Sequence, residues 1–252
     1  GPLARGRLWR DPTDEIPGQV KQRLSQILFS QGFGTRRLCA GLVWNDEVTV
    51  NGQPVDDPDA EFETTGLRFT VSGQEWPCFD KALILLHKPA GYECSQKPKH
   101  HPSVMSLLPA PLRERGVQPI GRLDEDTTGL LLLTDDGALI HKLTSPKHHV
   151  PKVYEARCKH PLTAAMVEQL LAGVELREPE GKFQRPPEIT QADGAEIVDE
   201  TLLRLTLIEG KYHQVKRMVA AVGNRVEALH RPQFGALTLP ADLPPGGWRW
   251  VS

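Results

Sequence analysis

The residues best suited to chemistry lie in a charged, hydroxyl-rich loop at residues 121–129. Asp124 and Asp126 stand two positions apart, and four consecutive leucines follow at 130–133. Four leucines closed by Asp-Asp-Gly indicate a strand that is buried on both faces. The two carboxylates would be held at the end of this rigid strand, where an aspartate can act as a nucleophile or a base. Asp and Thr side chains also cap their own turns, so a self-capped turn remains open as an interpretation.

A second group of ionisable residues begins a predicted helix at residues 213–222. Its apolar positions follow the i, i+3, i+4, i+7 spacing of a buried stripe: Val215, Met218, Val219 and Val222. His213 and Arg217 lie opposite that stripe, and Lys216 flanks it. Cations at a helix N-terminus oppose the helix dipole, so a purely structural helix would not place them there. We therefore expect an anionic group nearby.

Aromatic and basic residues lie between these two groups. Residues 153–158 alternate as a strand, with Tyr154 on the same face as Ala156 and Cys158. Taken alone, Tyr154 is typical of a core aromatic. Lys152 ends the basic loop that precedes this strand.

Composition limits the class of protein. The chain has 252 residues, a net charge of −2 and four scattered cysteines without a C-x-x-C pair. This cysteine pattern favours a reducing compartment, and we expect the cytoplasm. The sequence has no run of 18 apolar residues, which argues against a membrane span. The adjacent His100 and His101 lack a partner at metal-ligand spacing, so no metal site is expected. With a slightly negative net charge, any contact with nucleic acid would depend on local basic patches.

The first third of the chain predicts a small unit that precedes these residues. Residues 1–19 are polar and lack periodicity, which is typical of a disordered leader. Two helices follow, the second capped by Thr35, and then comes an Asn-Gly hairpin at residues 48–55. The residues at 32–37 and 48–52 resemble the S4 RNA-binding domain. In that family the second helix lays its basic residues on RNA phosphates, which implies this role for Arg36 and Arg37.

The motifs in the rest of the chain resemble one family. Gly-Arg-Leu-Asp-x-Asp-Thr-Thr-Gly-Leu, Lys-x-Tyr and Glu-Gly-Lys-Tyr-His-Gln-Val-Lys-Arg-Met follow one another, and Lys-Pro-Ala-Gly-Tyr precedes them. Together they resemble the RsuA type of RNA pseudouridine synthase. The resemblance implies an α+β fold, with a small S4-like αβ domain followed by a larger mixed, mainly antiparallel β-sheet catalytic domain with flanking helices. The expected boundaries are 20–72 for the S4-like domain, 73–80 for a linker and 81–252 for the catalytic domain.

The resemblance also implies a reaction and the residues that perform it. A uridine in RNA is isomerised to pseudouridine without a metal or organic cofactor. Asp124 matches the catalytic aspartate, which either attacks C1′ or assists loss of the ribose 2′ proton. Tyr154 matches the aromatic residue that stacks on the target base. Lys216 matches the basic residue that pairs with the aspartate and favours its charged form. Arg217 is the candidate if the register is shifted by one.

The remaining candidates concern RNA and partners. Arg122 is expected near the flipped nucleotide, and Lys152 and His213 are expected to contact RNA. The expected partner is ribosomal RNA or a partly assembled ribosomal subunit, and we expect a monomer. The residues of two motifs, Lys-Tyr-His-Gln-Val-Lys-Arg-Met and Asp-Thr-Thr-Gly, favour small-subunit 16S rRNA as the substrate. Three alternatives remain open: a synthase for large-subunit 23S rRNA, a non-catalytic rRNA-binding assembly factor, and a glycosidase that uses Asp124 with Asp126.

Overall fold

A computed structural model describes residues 21–176, 188–211 and 213–251, so the expected leader at 1–19 lies outside the described residues. The α-helices within these ranges are α1 (Leu24–Ser30), α2 (Arg36–Trp44), α3 (Ala110–Glu114), α4 (Gly137–Thr144), α5 (Ala164–Ala172) and α6 (Gln214–Ala221). The strands are β1 (Lys21–Arg23), β2 (Val48–Val50), β3 (Gln53–Pro54), β4 (Glu61–Glu63), β5 (Arg68–Val71), β6 (Gln74–Pro77), β7 (Leu83–Lys88), β8 (Gln118–Pro119), β9 (Thr128–Thr134), β10 (Lys152–Cys158), β11 (Val174–Leu176), β12 (Glu188–Thr190), β13 (Gly194–Ile197), β14 (Leu202–Leu207), β15 (Val226–Phe234), β16 (Leu237–Thr238) and β17 (Trp248–Trp250).

The N-terminal unit packs α1 and α2 beside a sheet in the order β3-β2-β5-β6. The side chain of Thr35 accepts a hydrogen bond from the backbone N–H of Leu38 at 3.2 Å, so the predicted cap of α2 is confirmed. Asn51 and Gly52 both have positive φ, as the turn of a tight hairpin requires. Local chemistry therefore sets both features.

Residues 73–80, expected to form a linker, instead contain strand β6. It pairs with β5 through a turn at Ser72 and Gly73, both of which have positive φ. Burial explains why the strand forms, because Trp76 packs in the core at 8% exposure while Glu75 faces solvent. The strand has two exposed residues followed by two buried ones, so no alternation in the sequence indicates it. The expected domain boundaries stay a prediction.

The larger sheet positions the loop that precedes β9. Its order is β13-β14-β10-β15-β9-β7-β17; in addition, β16 pairs with β15 and β8 pairs with β9. The four leucines of β9, 130–133, are fully buried. Leu131 and Leu133 pack with the N-terminal core, whereas Leu130 and Leu132 pack against the opposite cluster. The prediction of a strand buried on both faces is therefore confirmed.

One parallel pair brings β15 against β9, and Gly129 makes this approach possible. A Cβ atom at Gly129 would lie 2.3 Å from the carbonyl oxygen of Arg231, and its φ is +118°. Any larger residue would clash with this backbone and strain its own. All other described pairs of this sheet are antiparallel. The predicted α+β class with a mixed, mainly antiparallel sheet is confirmed.

The two aspartates that follow β9 both have structural roles. Asp136 accepts hydrogen bonds from the N–H groups of Ala138 and Leu139 and caps α4. Asp135 instead accepts from the N–H of Ala82 at 2.7 Å and pairs with Arg115 at 2.9 Å. In the described part of the chain, no helix is long and apolar enough to cross a membrane.

Candidate active site

A buried lysine binds the backbone of the loop that carries Asp124. Lys88, at the end of β7, is fully buried, and its ammonium donates to the carbonyl oxygens of Pro89, Glu125 and Thr127 at 3.0, 2.9 and 2.8 Å. Burial lowers the pKa of Lys88, and the nearby thiol and carboxylates only partly oppose this. Lys88 thus joins the end of β7 to the loop that precedes β9.

The carboxylate of Asp124 faces two basic side chains at the start of α6. His213 Nε2 lies 3.3 Å from its Oδ1, and Lys216 Nζ lies 3.5 Å from its Oδ2. Lys216 also lies 3.1 Å from Oδ1 of Asp126, so it is shared between the two carboxylates. Burial lowers the pKa of Lys216, but the hydrogen bonds and charges of Asp126 and Asp124 outweigh this and raise it above its ordinary value. Lys216, one of the residues expected to need an anion, therefore has two carboxylates beside it.

Backbone geometry turns the start of α6 toward Asp124. His213 is the N-cap residue and has φ of +48°, a left-handed conformation that is uncommon outside glycine. Gln214 is buried, and its side-chain oxygen accepts from the N–H of Lys211 at 3.0 Å. This bond fixes the turn before the helix. Val215 and Met218 pack in the core and hold the helix in place. Strain of this kind persists where the surroundings hold it, often at functional sites.

Asp124 lies in a small cleft of about 80 Å³ between the loop and α6. The described residues that line it are Arg122, Leu123, Asp124, Thr127, Tyr154, Leu207, Glu209, Gly210, Lys211, His213, Gln214, Val215, Lys216 and Leu229. The structure thus brings together five predicted site residues from β10, α6 and the Asp124 loop: Arg122, Asp124, Tyr154, His213 and Lys216.

The other four candidates lie outside the described lining of the cleft. Lys152 places its ammonium 5.5 Å from the ring centroid of Phe234, and burial, with the charge of Arg231, lowers its pKa. Arg217 follows Lys216 on α6 but does not line the cleft. Two more are exposed on the N-terminal unit, Arg36 and Arg37.

The contacts of the Asp124 side chain do not fit the interpretation of this loop as a self-capped turn. Its carboxylate meets α6, about 90 positions further along the chain, rather than its own loop. The turn is closed by the backbone, because the N–H of Thr127 donates to the carbonyl of Asp124 at 3.0 Å. The glycosidase alternative needs two carboxylates free to act as a pair. Here Lys216 lies between Asp124 and Asp126.

Lys88 and Gln214 were not singled out as site residues from the sequence. The available signal was a polar residue at the end of an apolar segment in each case. Lys88 ends the apolar strand Leu83–Lys88, and Gln214 precedes the buried stripe of α6. A polar group at such a position is buried and must find partners, but its partners are distant in sequence.

The basic segment at residues 97–101 contacts the loop that carries Asp124. The carboxylate of Glu93 accepts from the N–H groups of Lys99 and His100, and these bonds lower its pKa. The imidazole of His101 lies 3.6 Å from Glu93 and 3.7 Å from Glu125. The side chain of His101 therefore connects this segment to the residue that follows Asp124.

Two family models match the chain. Residues 82–221 match the model for RNA pseudouridylate synthase, and residues 22–63 match the S4 domain. The first match covers more than half of the chain and contains every described residue that lines the cleft, except Leu229.

Curated relatives and a solved structure agree with these models. The chain is 37% identical over 235 residues to ribosomal small subunit pseudouridine synthase A of Yersinia pestis, covering 90% of this chain and 93% of that protein. It is 38% identical over 234 residues to the protein of the same name from Escherichia coli K12, covering 90% and 95%. A crystal structure of a pseudouridylate synthase superposes with a TM-score of 0.62 at 32% identity, covering 91% of this chain and 96% of that one. The chain therefore belongs to the RNA pseudouridylate synthase family.

Proposed function

We propose that this protein isomerises a specific uridine of small-subunit 16S rRNA to pseudouridine, with Asp124 as the catalytic carboxylate. The observation that carries the proposal is the Asp124 carboxylate, held between His213 and Lys216 in a cleft that Tyr154 also lines. The choice of small-subunit RNA is supported by the names of the curated relatives. We also propose that the protein acts as a monomer in the cytoplasm, without a cofactor.

The reaction requires a carboxylate next to C1′ of the ribose. The bond between C1′ and N1 breaks with its electron pair going to the uracil, the uracil rotates, and C5 joins C1′. The proton on C5 is lost and N1 gains one, so the atoms balance. Asp124 either attacks C1′ or assists loss of the 2′ proton. In both routes the basic groups of His213 and Lys216 lie beside the carboxylate, at 3.3 and 3.5 Å.

A base in folded RNA must leave its stack to reach this cleft. Extrusion costs a few kcal/mol, and stacking on an aromatic side chain offsets part of that cost. Tyr154 is half-buried and packs against two core clusters, so it offers a rigid surface. Arg122 is exposed at the rim, where it can hold a phosphate of the flipped nucleotide.

The proposal is tested by mapping pseudouridine after incubation of the protein with separate substrates. These are 16S rRNA, 23S rRNA and partly assembled small subunits, each lacking the modification beforehand. New pseudouridine at one position of 16S rRNA, free or assembled, supports the proposal. Product in 23S rRNA alone would replace it with the large-subunit alternative. Tight binding without product in any substrate would favour the non-catalytic assembly factor.

We expect Arg36 and Arg37 to contribute to affinity rather than to chemistry. Both are exposed at the start of α2, and the Arg36 guanidinium lies 4.9 Å from the ring centroid of Phe29. Replacing both with glutamine should weaken RNA binding roughly tenfold at low salt, and should reduce the salt dependence by about 0.7 in the log–log slope for each phosphate that the variant no longer binds. Filter binding at several salt concentrations measures both effects.

A matched control for this double variant is Arg68→Gln. Arg68 is also exposed on the N-terminal unit, but its guanidinium is paired with Glu75. This variant should keep the wild-type affinity and salt slope. An unchanged slope in the double variant would exclude Arg36 and Arg37 as phosphate contacts. At saturating RNA, the double variant and Arg68→Gln should both isomerise uridine at the wild-type rate.

A further inference from the structure

The hydroxyl of Thr127 is buried without a hydrogen-bond partner among the described residues. Thr127 is 1% exposed, and its Oγ1 is buried and unpaired. Its neighbour Thr128 places its hydroxyl 2.7 Å from Nδ1 of His230, and buried Thr134 donates its hydroxyl to a carbonyl. Burying an unsatisfied hydroxyl opposes folding, and an isosteric valine would avoid that cost. A threonine at this position therefore needs a reason beyond packing.

Thr127 cannot easily move away from the cleft. Its N–H donates to the carbonyl of Asp124 at 3.0 Å, and its carbonyl accepts from Lys88 at 2.8 Å. Both backbone groups are thus fixed, and the residue lines the cleft together with Asp124 and Tyr154. The backbone of Thr127 is therefore held in place beside the loop that carries Asp124.

The chemistry of the proposed substrate supplies a matching acceptor. When the bond between C1′ and N1 breaks, the electron pair left on the uracil is shared with the carbonyl oxygen next to N1, which is O2. If the ring then turns about the axis through N3 and C6, C5 replaces N1 and O4 replaces O2. A single fixed donor can therefore serve both halves of the reaction. A preorganised donor in a site that excludes water stabilises such developing charge strongly.

We propose that the Thr127 hydroxyl donates a hydrogen bond to the uracil carbonyl next to the reacting ring atom, first O2 and then O4. This inference rests on the proposed function, because it needs a uridine in the cleft. It gives Thr127 a direct contact with the substrate, distinct from the roles of Asp124 and Tyr154. It also explains why the hydroxyl is unpaired among the described residues.

The test compares wild-type protein with Thr127→Val and Thr127→Ser on the RNA that the wild type modifies. Single-turnover rates at saturating protein, RNA affinity and melting temperature are measured for each. We expect Thr127→Val to melt at or above the wild-type temperature and to bind RNA within about threefold, but to react about 10- to 100-fold more slowly. Thr127→Ser keeps the hydroxyl and should react within about fivefold of the wild type.

The outcomes separate this inference from the proposed function. A wild-type rate in Thr127→Val would overturn the inference while leaving the function in place. A clear loss of stability in Thr127→Val would also overturn it, because the hydroxyl would then have a structural role. No pseudouridine from the wild-type protein would overturn the proposed function, and this inference with it.

Discussion

An Asp124→Asn variant should form pseudouridine at least about 10⁴-fold more slowly than the wild type, the scale of loss expected for a group that acts directly on the reacting bond. Asparagine keeps the shape of the side chain but neither attacks C1′ nor takes a proton. Its amide can still contact His213 and Lys216, so the cleft should keep its form. Pseudouridine mapping of rRNA after a fixed time series measures the rate.

The matched control for this variant is Asp126→Asn. Asp126 carries the same group two positions away, and its Oδ1 lies 3.1 Å from Lys216, but it does not line the cleft. Its side chain is 59% exposed, so the pair contributes only about 0–1 kcal/mol to stability. We expect its rate to stay within about tenfold of the wild type. Equal losses in both variants would contradict the assignment of different roles to the two carboxylates.

Lys88→Met should cause the second large effect, although Lys88 does not line the cleft. The substitution leaves the carbonyls of Pro89 and Thr127 without their buried donor, whereas Glu125 keeps its bond from the N–H of Gly91. Two unsatisfied carbonyls lower the free energy of unfolding by about 2–4 kcal/mol. Activity should fall about 100-fold or more, because displacement of a reacting group by about 1 Å has this effect.

Chemical denaturation and single-turnover rates measure the two effects of Lys88→Met. An exposed lysine on the neighbouring basic segment, Lys99→Met, serves as the control and should retain wild-type stability. Wild-type activity in Lys88→Met would show that the loop holds Asp124 in place without the ammonium.

The lowered pKa of Lys88 also predicts a pH dependence. Below that lowered pKa, both the folded and the unfolded protein carry the charge, and its burial opposes folding by a constant amount. Between the lowered pKa and the ordinary value of 10.5, the unfolded chain binds a proton that the folded one does not. The contribution of Lys88 to the free energy of unfolding therefore rises with pH in this window. The free energy of unfolding of the wild type should therefore rise relative to that of Lys88→Met across this window. A constant difference between the two proteins would contradict the prediction.

Much of the secondary structure could be predicted because its causes are local. The caps at Thr35 and Asp136, the Asn-Gly turn and the buried stripe of α6 each depend on residues within one or two turns of chain. Strand β6 could not be predicted because it has only four residues and its exposed and buried residues do not alternate. Trp76 has its partners Phe33, Trp248 and Trp250 at distant positions in the chain.

The candidate site was predictable in its residues but not in its contacts. The resemblance to the family implied one site containing Asp124, Tyr154 and Lys216, and the structure places all three around one cleft. The sequence did not show that Lys216 is shared by two carboxylates, or that His213 reaches Asp124 from a left-handed N-cap. These details depend on side-chain distances between elements, which no local pattern encodes.

The sequence by itself determined that a buried strand follows the Asp124 loop and that a helix begins with unfavourably placed cations. Both conclusions need only hydrophobic periodicity and the direction of a helix dipole. The tertiary structure alone decided which charges meet. Lys88 binds carbonyls 37 and 39 positions away, and Lys216 reaches a carboxylate 90 positions away. Such contacts follow from the order of strands in the sheet, which is set by the packing of the whole core and not by any one segment.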